Sequence, residues 1–484
     1  MTAGEQARKR WVLPVLLLAA LFFLRGALYR DLWFDEALTV LNFMLPLPDA
    51  WAVYRSYFIP NNQILYTIFL QNWHHLAPDW LPVELFWRLG SVGLALLTVS
   101  VLFLTFRKRL GSWLWGGVLA FYVASVPLAI YGTAVRGYML SSLALALALA
   151  AGQSLCCRLR PANLLGYFAA SLLAVGTIPT NLVALGGVAL YFLPYCRKRF
   201  WRDGRFYALV LLPPAAAALF YLPIAGAVQK AMALQEGWTQ QGRALLYLYC
   251  AFGFAFLPVL LPALWGGWRF WRRKACRRRW CWRLFIPLLP LPLCLGLAVA
   301  PFPRIFFNFW PLGLLLLAGG MRHLTAARRK SSDGLALFLA GVVLAGGWGM
   351  LQREAGGWLA GRLKASGQMD DLFEPYYMQD SFAVQPTLAE LRRLFPERLP
   401  VTFLTFRADP WPVMFYGSWY YGFGEEWRFD GPRGPVAALP KDALVIMQRQ
   451  EDPVAVLDEL DRRFGRRHWV ELFENDFHRV YRSR

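Results

Sequence analysis

Acidic side chains are scarce through most of this 484-residue chain. Residues 1–350 hold ten of its thirty Asp and Glu: Glu5, Asp31, Asp35, Glu36, Asp49, Asp79, Glu84, Asp203, Glu236 and Asp333. Charge of either sign is thin as well, at 17 % against about a quarter in soluble proteins, which excludes an ordinary soluble globule of this length. None of the seven cysteines lies beyond Cys294, so no disulfide framework is implied in the last part of the chain. Cys276 and Cys281 have no neighbouring His or second Cys pair, which argues against a zinc site. There is no Gly-rich phosphate loop followed by Lys-Ser/Thr, and no His-x-x-x-His or Glu-x-x-His spacing. Nucleotide-driven chemistry therefore lacks its usual machinery, and no cofactor is expected. A divalent metal is not indicated by any ligand spacing. Internal repeats of fixed period and low-complexity linkers are absent too.

What the chain does have is apolar sequence: 57 % hydrophobic, 16 % aromatic, mean hydropathy +0.37. Runs of bilayer-spanning length recur, and Trp and Tyr suit interfacial belts, so the chain reads as an α-helical polytopic membrane protein. Predicted spans are 11–29, 85–106, 112–130, 139–155, 162–178, 182–195, 206–224, 244–265, 284–300, 306–320 and 334–350, about eleven in all. The net charge of +21 does not point to nucleic acid, because 33 basic residues lie within 1–350 and only eighteen in 351–484, against twenty acids there. The basic residues concentrate in alternate loops: 107–109, 158–160, 197–205, 269–283 and 322–330. That bias marks those loops as cytoplasmic. The 269–279 run, which has the composition of an RNA-binding stripe, is trapped between apolar spans and reads as a rim against anionic headgroups. Arg8-Lys9-Arg10 before the first span place the N-terminus inside, and an odd number of spans places the C-terminal region outside. The expected location is the inner (plasma) membrane.

Two domains follow: 1–350 as the membrane-embedded part, with 30–83 as a long first outer loop, and 351–484 as a small extracytoplasmic α/β domain. In the loop, 49–54 and 64–70 read as short surface helices around the polar turn Pro60-Asn61-Asn62-Gln63. In the domain, 388–395 and 454–464 read as helices, and 401–406, 443–447, 468–473 and 477–481 as strands.

Asp31-Leu32-Trp33-Phe34-Asp35-Glu36-Ala37 puts three of the scarce acids just beyond the first span. A solvated helix end explains such acids as readily as a task does, but a carboxylate outside the bilayer and ringed by outward Arg residues suits a lipid-phosphate substrate. A carboxylate takes the proton of an attacking hydroxyl. Cations stabilise the phosphate that leaves, and Arg matches phosphate geometry better than Lys. Arg88, Arg136, Arg243 and Arg304 lie in outer loops, where a snorkelling interfacial anchor is the bland alternative. His74-His75 read as interfacial residues, since adjacent helical positions point apart. Trp411-Pro412 and Tyr416–Tyr421 form an aromatic patch suited to core packing, to sugar stacking or to the membrane surface.

In organisation, and in five short stretches, the chain resembles the GT-C polytopic glycosyltransferases, specifically the glycosyltransferase family 39 branch that includes protein O-mannosyltransferases and the lipid A aminoarabinose transferase. Trp33–Ala37 matches the first-loop Asp-Glu motif. Asn61-Asn62-Gln63-Ile64-Leu65-Tyr66 is similar to an N-N-H-x-L-Y surface helix, with Gln63 in the His position. Residues 89–98 with Arg107-Lys108-Arg109 match a third segment, Tyr131–Tyr138 a Y-S-R-E-A-R-x-Y segment, and Phe302-Pro303-Arg304 a late R-Y-x-x-P segment. The resemblance implies a polyprenyl-phosphate sugar donor, a hydroxyl acceptor and an inverting transfer on the outer face. Asp35 would be the base, with Glu36 orienting it or binding acceptor. Arg136, Arg304, Arg243 and Arg88 would hold the donor phosphate, and Asn61, Asn62, Gln63 and Tyr138 would bind acceptor or sugar. Ala134 replaces a Glu usual in the family, so a second acid from that segment is absent; either Glu84 or Glu236 substitutes from another outer loop, or one carboxylate suffices. Two competitors stand beside the transferase. A carrier of lipid-linked sugars is disfavoured by the acid-free spans and the lack of a repeat. A noncatalytic assembly partner with a sensory outer domain requires Asp35 to be dispensable.

Overall fold

The computed structural model describes residues 10–57, 59, 62–196, 202–235, 307–325, 341–347, 383–405, 408, 410–423, 426–430 and 435–484, with isolated residues 283, 285, 286, 289, 350, 354, 358 and 362. Numbered along the chain, the first helices are α1 (Val12–Leu24), α2 (Phe34–Thr39), α3 (Ala50–Arg55), α4 (Ile64–His74), α5 (Val83–Leu110) and α6 (Ser112–Val123). Then come α7 (Val126–Tyr131), α8 (Tyr138–Cys157), α9 (Pro161–Thr177), α10 (Asn181–Phe192), α11 (Gly204–Tyr221), α12 (Ala225–Gln235) and α13 (Trp310–Thr325). The last are α14 (Gln385–Leu394), α15 (Pro410–Tyr420) and α16 (Pro453–Phe464). The chain divides into two compact units, Met1–Leu28 with Asp49–Tyr377, and Tyr29–Pro48 with Met378–Arg484.

The first unit is a helix bundle. Val83–Leu110, Tyr138–Cys157 and Gly204–Ala231 are long and apolar enough to cross a bilayer, and shorter apolar helices pack among them. Local sequence sets their ends. The apolar run of α5 stops at Arg107-Lys108-Arg109, cations suited to a helix C-terminus, and Gly111 follows at φ 90°, a conformation open to glycine. The expected span 112–130 is interrupted between α6 and α7. Pro127 has no N–H to continue a helix and fits only its first turn, while the Ser125 hydroxyl accepts the Leu128 N–H at 3.2 Å as a new cap. Expected spans 85–106, 139–155, 162–178, 182–195 and 206–224 coincide with α5, α8, α9, α10 and α11 within a few residues. That at 244–265, and most of 284–300 and 334–350, lie outside the described residues.

Small residues allow the close packing that holds such a bundle where water gives no hydrophobic push. A Cβ on Gly341 would sit 2.9 Å from the Gly117 Cα, so this helix pair touches backbone to backbone. Helix α8 packs against α5 and α9, and α9 packs against α11.

The second unit is an α/β domain with a segment of the first loop built into it. Its five-stranded sheet has the order β2 (Trp427–Arg428), β1 (Thr402–Leu404), β3 (Leu444–Gln448), β5 (His478–Ser483), β4 (Trp469–Glu474). The strands β2, β1 and β3 run parallel, and β5 and β4 join them antiparallel, with Thr402 opposite Leu444 and Ile446 opposite Val480. The core gathers Phe403, Val445, Met447, Leu460 and Tyr481, from both sides of the parallel-to-antiparallel switch and from α16. Helix α2, continued by a π-turn at Val40–Met44, lies against α15 and buries Ala37, Leu38, Phe43 and Met44. Residues 29–48, read from sequence as outer loop, therefore fold with residues that follow them by some 350 positions.

Candidate functional site

In the bundle unit, the loop joining α7 to α8 is the centre of interest. Residues 132–137 are irregular in backbone yet wholly buried, so their polar atoms need partners inside the protein. Side chains supply them. The Arg88 guanidinium, fully buried, donates to the Thr133 carbonyl at 3.2 Å. Ser91, one turn further along α5, donates to the Ala134 carbonyl at 2.6 Å. Because the Ser91 hydroxyl is thereby spent as a donor, its 2.9 Å contact with Tyr66 is one in which Tyr66 donates. The Gln63 Oε1 accepts the Gly137 N–H. Gly137 cannot be replaced cheaply, since a Cβ there would meet the Thr177 Cγ2 at 2.6 Å and the Tyr66 Cβ at 3.0 Å. Arg136 belongs to this pinned loop and is itself 3 % exposed. Tyr138 opens α8, buried, with its ring 4.7 Å from that of Tyr131.

Asn62 braces the same neighbourhood. Its amide nitrogen donates to the carbonyls of Val53 (3.3 Å) and Ser56 (3.1 Å), and its Oδ1 accepts the Thr67 hydroxyl at 3.0 Å. At the other end of α4, the His74 Nδ1 accepts the Trp87 indole N–H at 3.3 Å. Burial, and then the neighbouring His75, lower the His74 pKa, which keeps that nitrogen unprotonated as an acceptor.

Next along the bundle is a second buried polar group. The Asn308 amide donates to Ser141 and to Asn181, each at 2.8 Å, and accepts from Ser142 at 3.1 Å, while Asn181 also bonds Ser141. Asn181 and Ser141 begin α10 and α8, so this network lies at the same end of those helices as Tyr138. The other ends carry the cations. Arg109 stands 4.4 Å above the Tyr195 ring, Arg205 donates to the Cys156 carbonyl at 2.9 Å and pairs with Asp203, and Arg283 donates to the Tyr195 hydroxyl at 2.8 Å.

The acid segment belongs to the second unit. Asp31 is 8 % exposed, and its Oδ2 accepts the N–H groups of Val384 (2.8 Å) and Gln385 (3.3 Å), while Oδ1 accepts from the Gln385 side chain at 2.7 Å. Glu36, fully buried, accepts the Trp33 N–H at 3.0 Å and has Arg30 at 3.9 Å. It is the third-position acid reaching back to close the start of α2. Asp35 lies between them on the first turn of α2, 9 % exposed, with its own carbonyl receiving the Thr39 hydroxyl at 2.8 Å.

Of the site residues expected from sequence, Asn62, Gln63, Arg88, Arg136 and Tyr138 thus meet at or near one buried loop. Asp35 and Glu36 sit together in the other unit. Asn61, Arg243 and Arg304 lie outside the described residues. Sequence reading missed Tyr66, Ser91, Ser141, Ser142, Asn181 and Asn308; a hydroxyl or amide within an otherwise apolar span is the signal that marks them. The Trp411–Tyr421 patch resolves into α15, with Phe415 and Tyr416 buried and Trp419 and Tyr420 about half exposed. Among the described residues, no three His, Cys, Asp or Glu side chains gather as a metal site would require.

No family model matches the sequence, and no curated protein matches it. Solved structures do. A crystal structure of ArnT from Cupriavidus metallidurans bound to undecaprenyl phosphate is similar with a TM-score of 0.55 at 13 % identity, over 99 % of this chain and 98 % of that one. The apo state of the same protein is similar with a TM-score of 0.55 at 12 % identity, over 98 % of each chain. Both likenesses run the full length, helix bundle and C-terminal domain together. The chain has the fold of a polytopic GT-C glycosyltransferase.

Proposed function

We propose that this chain is an integral-membrane glycosyltransferase that moves a sugar from a polyprenyl-phosphate donor to a hydroxyl acceptor. The observation that carries the reading is the full-length likeness to an undecaprenyl-phosphate-bound transferase, in a chain that keeps an Arg in a buried, side-chain-pinned loop. Asp35 is the base. It takes the acceptor hydroxyl's proton as that oxygen attacks the anomeric carbon, and the bond from that carbon to the phosphate oxygen breaks on the opposite face, with inversion. The electron pair stays on the departing polyprenyl phosphate, whose charge needs fixed cations. Arg136 is the principal one, and the same task is assigned to Arg304 and Arg243. Arg88 serves through the loop, holding the Thr133 carbonyl. Acceptor or sugar binding is assigned to Asn61 and Tyr138, while Gln63 holds Gly137 beside Tyr138 and Asn62 braces the segment before α4. Glu36 fixes the turn on which Asp35 sits.

The end of the bundle that carries the 132–137 loop faces outward, and the end with Arg109, Arg205 and Arg283 faces the cytoplasm of the inner membrane. The support is the positive-inside bias.

The test is Asp35→Asn in membranes given labelled undecaprenyl-phosphate sugar. Loss of the proton acceptor should slow glycoside formation on the order of 10²–10⁴-fold. Full-rate transfer by the variant would remove Asp35 from the chemistry. Wild-type membranes that move the lipid yet release no glycoside would identify a carrier instead.

A further inference from the structure

We propose that the C-terminal domain is a positioning element of the transferase, and that Asp31 is the residue through which it holds the proposed base; the role rests on the reading of Asp35 above. Three contacts carry the argument, all within one compact unit. First, the residue preceding α14, Val384, offers no capping side chain, and the helix-end amides of Val384 and Gln385 are satisfied by the Asp31 carboxylate, which also takes the Gln385 side chain. Second, the next residue donates its backbone, Leu32 N–H to the Tyr416 hydroxyl of α15, at 2.9 Å. Third, Trp33 is extended and its N–H is held by Glu36, so the chain has no slack between these anchors and Asp35.

Asp31 and Leu32 are thus fixed to two different helices of the domain, and Asp35 follows within one turn of α2. A carboxylate base works only within hydrogen-bond reach of the proton it takes, so the anchor that sets its place sets the rate. Asp31 touches no substrate in this scheme. It is a positioning residue, and the acid cluster resolves into a helix-capping anchor, a base and a turn-closing acid.

The experiment compares the wild-type full chain in lipid nanodiscs with Asp31→Ala, Asp31→Asn, Tyr416→Phe and Asp35→Asn. One measurement is amide exchange over 30–44 and 383–390. The other is undecaprenyl phosphate release from the labelled undecaprenyl-phosphate sugar that wild-type membranes turn over. Asp31→Ala should lose protection in both peptides together, with kcat down about tenfold or more and the donor KM within about twofold. Asp31→Asn keeps an amide oxygen for Val384 and should recover part of both. Tyr416→Phe removes only the hydroxyl that receives Leu32 N–H, and should lower kcat less, with the sheet's exchange unchanged. Intact kcat in Asp31→Ala and Tyr416→Phe, beside an inactive Asp35→Asn, would overturn the positioning role alone. Lost protection with kcat unmoved would overturn it as well, leaving Asp31 a fold contact. A fully active Asp35→Asn, or a wild type that turns over no such donor, would sink the transferase assignment itself, and the exchange data would still report whether the anchor exists.

Discussion

The two compact units satisfy their cations in opposite ways. In the C-terminal unit acids are plentiful and Arg side chains pair with them at the surface: Arg463 with Asp430, Arg482 with Asp442, Arg449 with Glu474. In the bundle, where acids are scarce, the described Arg contacts go mainly to carbonyls and rings: Arg88 to Thr133, Arg109 to Tyr195, Arg205 to Cys156 as well as Asp203. The difference teaches where polar contacts matter. An exposed pair competes with water and is worth little, whereas a buried guanidinium and the carbonyl it serves are costly to separate.

That contrast can be broken by experiment, most forcefully at Arg88. Arg88→Ala removes a fully buried side chain and strips the Thr133 carbonyl of its donor; we expect a loss of about 2–4 kcal/mol, read as thermal unfolding in detergent, together with weaker donor turnover. A near-neutral result would mean the loop holds itself.

The next effect lies in the soluble unit, at its own buried polar centre. His478 bonds the Thr387 hydroxyl at 2.8 Å, and burial pushes its pKa down to about 4 from 6.5. The unfolded chain therefore takes up a proton between those values that the folded chain refuses. Stability is complete above about pH 6.5 and falls as pH drops toward 4, by about 3 kcal/mol at 1.36 kcal/mol per pH unit. Exchange of the β3 and β5 amides at pH 7 and 4.5 measures it, and His478→Asn should flatten that part of the profile.

Smaller again is Asn308→Leu. Cutting the Ser141–Ser142–Asn181 network should cost roughly 1 kcal/mol, as hydrogen bonds between membrane helices do, again by thermal unfolding in detergent. Smallest is Arg482→Ala, whose partner Asp442 is largely exposed; a change within about 0.5 kcal/mol in urea unfolding of the C-terminal unit is expected. If Arg482 mattered more than Arg88, the contrast between the units would be wrong.

Much of this architecture is legible in the sequence because the physics is local. Apolar runs bounded by cations mark α5, α8 and α9, and a short, unbroken apolar run marks β3. The break at Ser125–Pro127 was legible in principle, as proline chemistry masked by an unbroken apolar run. Helix α15 was hidden because Pro410–Tyr420 carries no charge and has two prolines in its first turn, a composition that reads as a loop patch. Strand β2 has two residues and no periodicity to read. For the site, Arg136 and the acid cluster announce themselves by charge out of place. The roles of Asp31, Ser91 and Gln63 do not, because each is defined by a partner distant in sequence: Asp31 meets Val384, 353 positions on.

That last separation also bears on biogenesis. Asp31 leaves the ribosome 353 residues ahead of the amides it caps, an interval of roughly 20–70 s at 5–20 residues per second. Throughout it, helix α2 waits for α15, the helix it packs against, which is synthesised later still. A chain truncated before residue 384 would never close that seam.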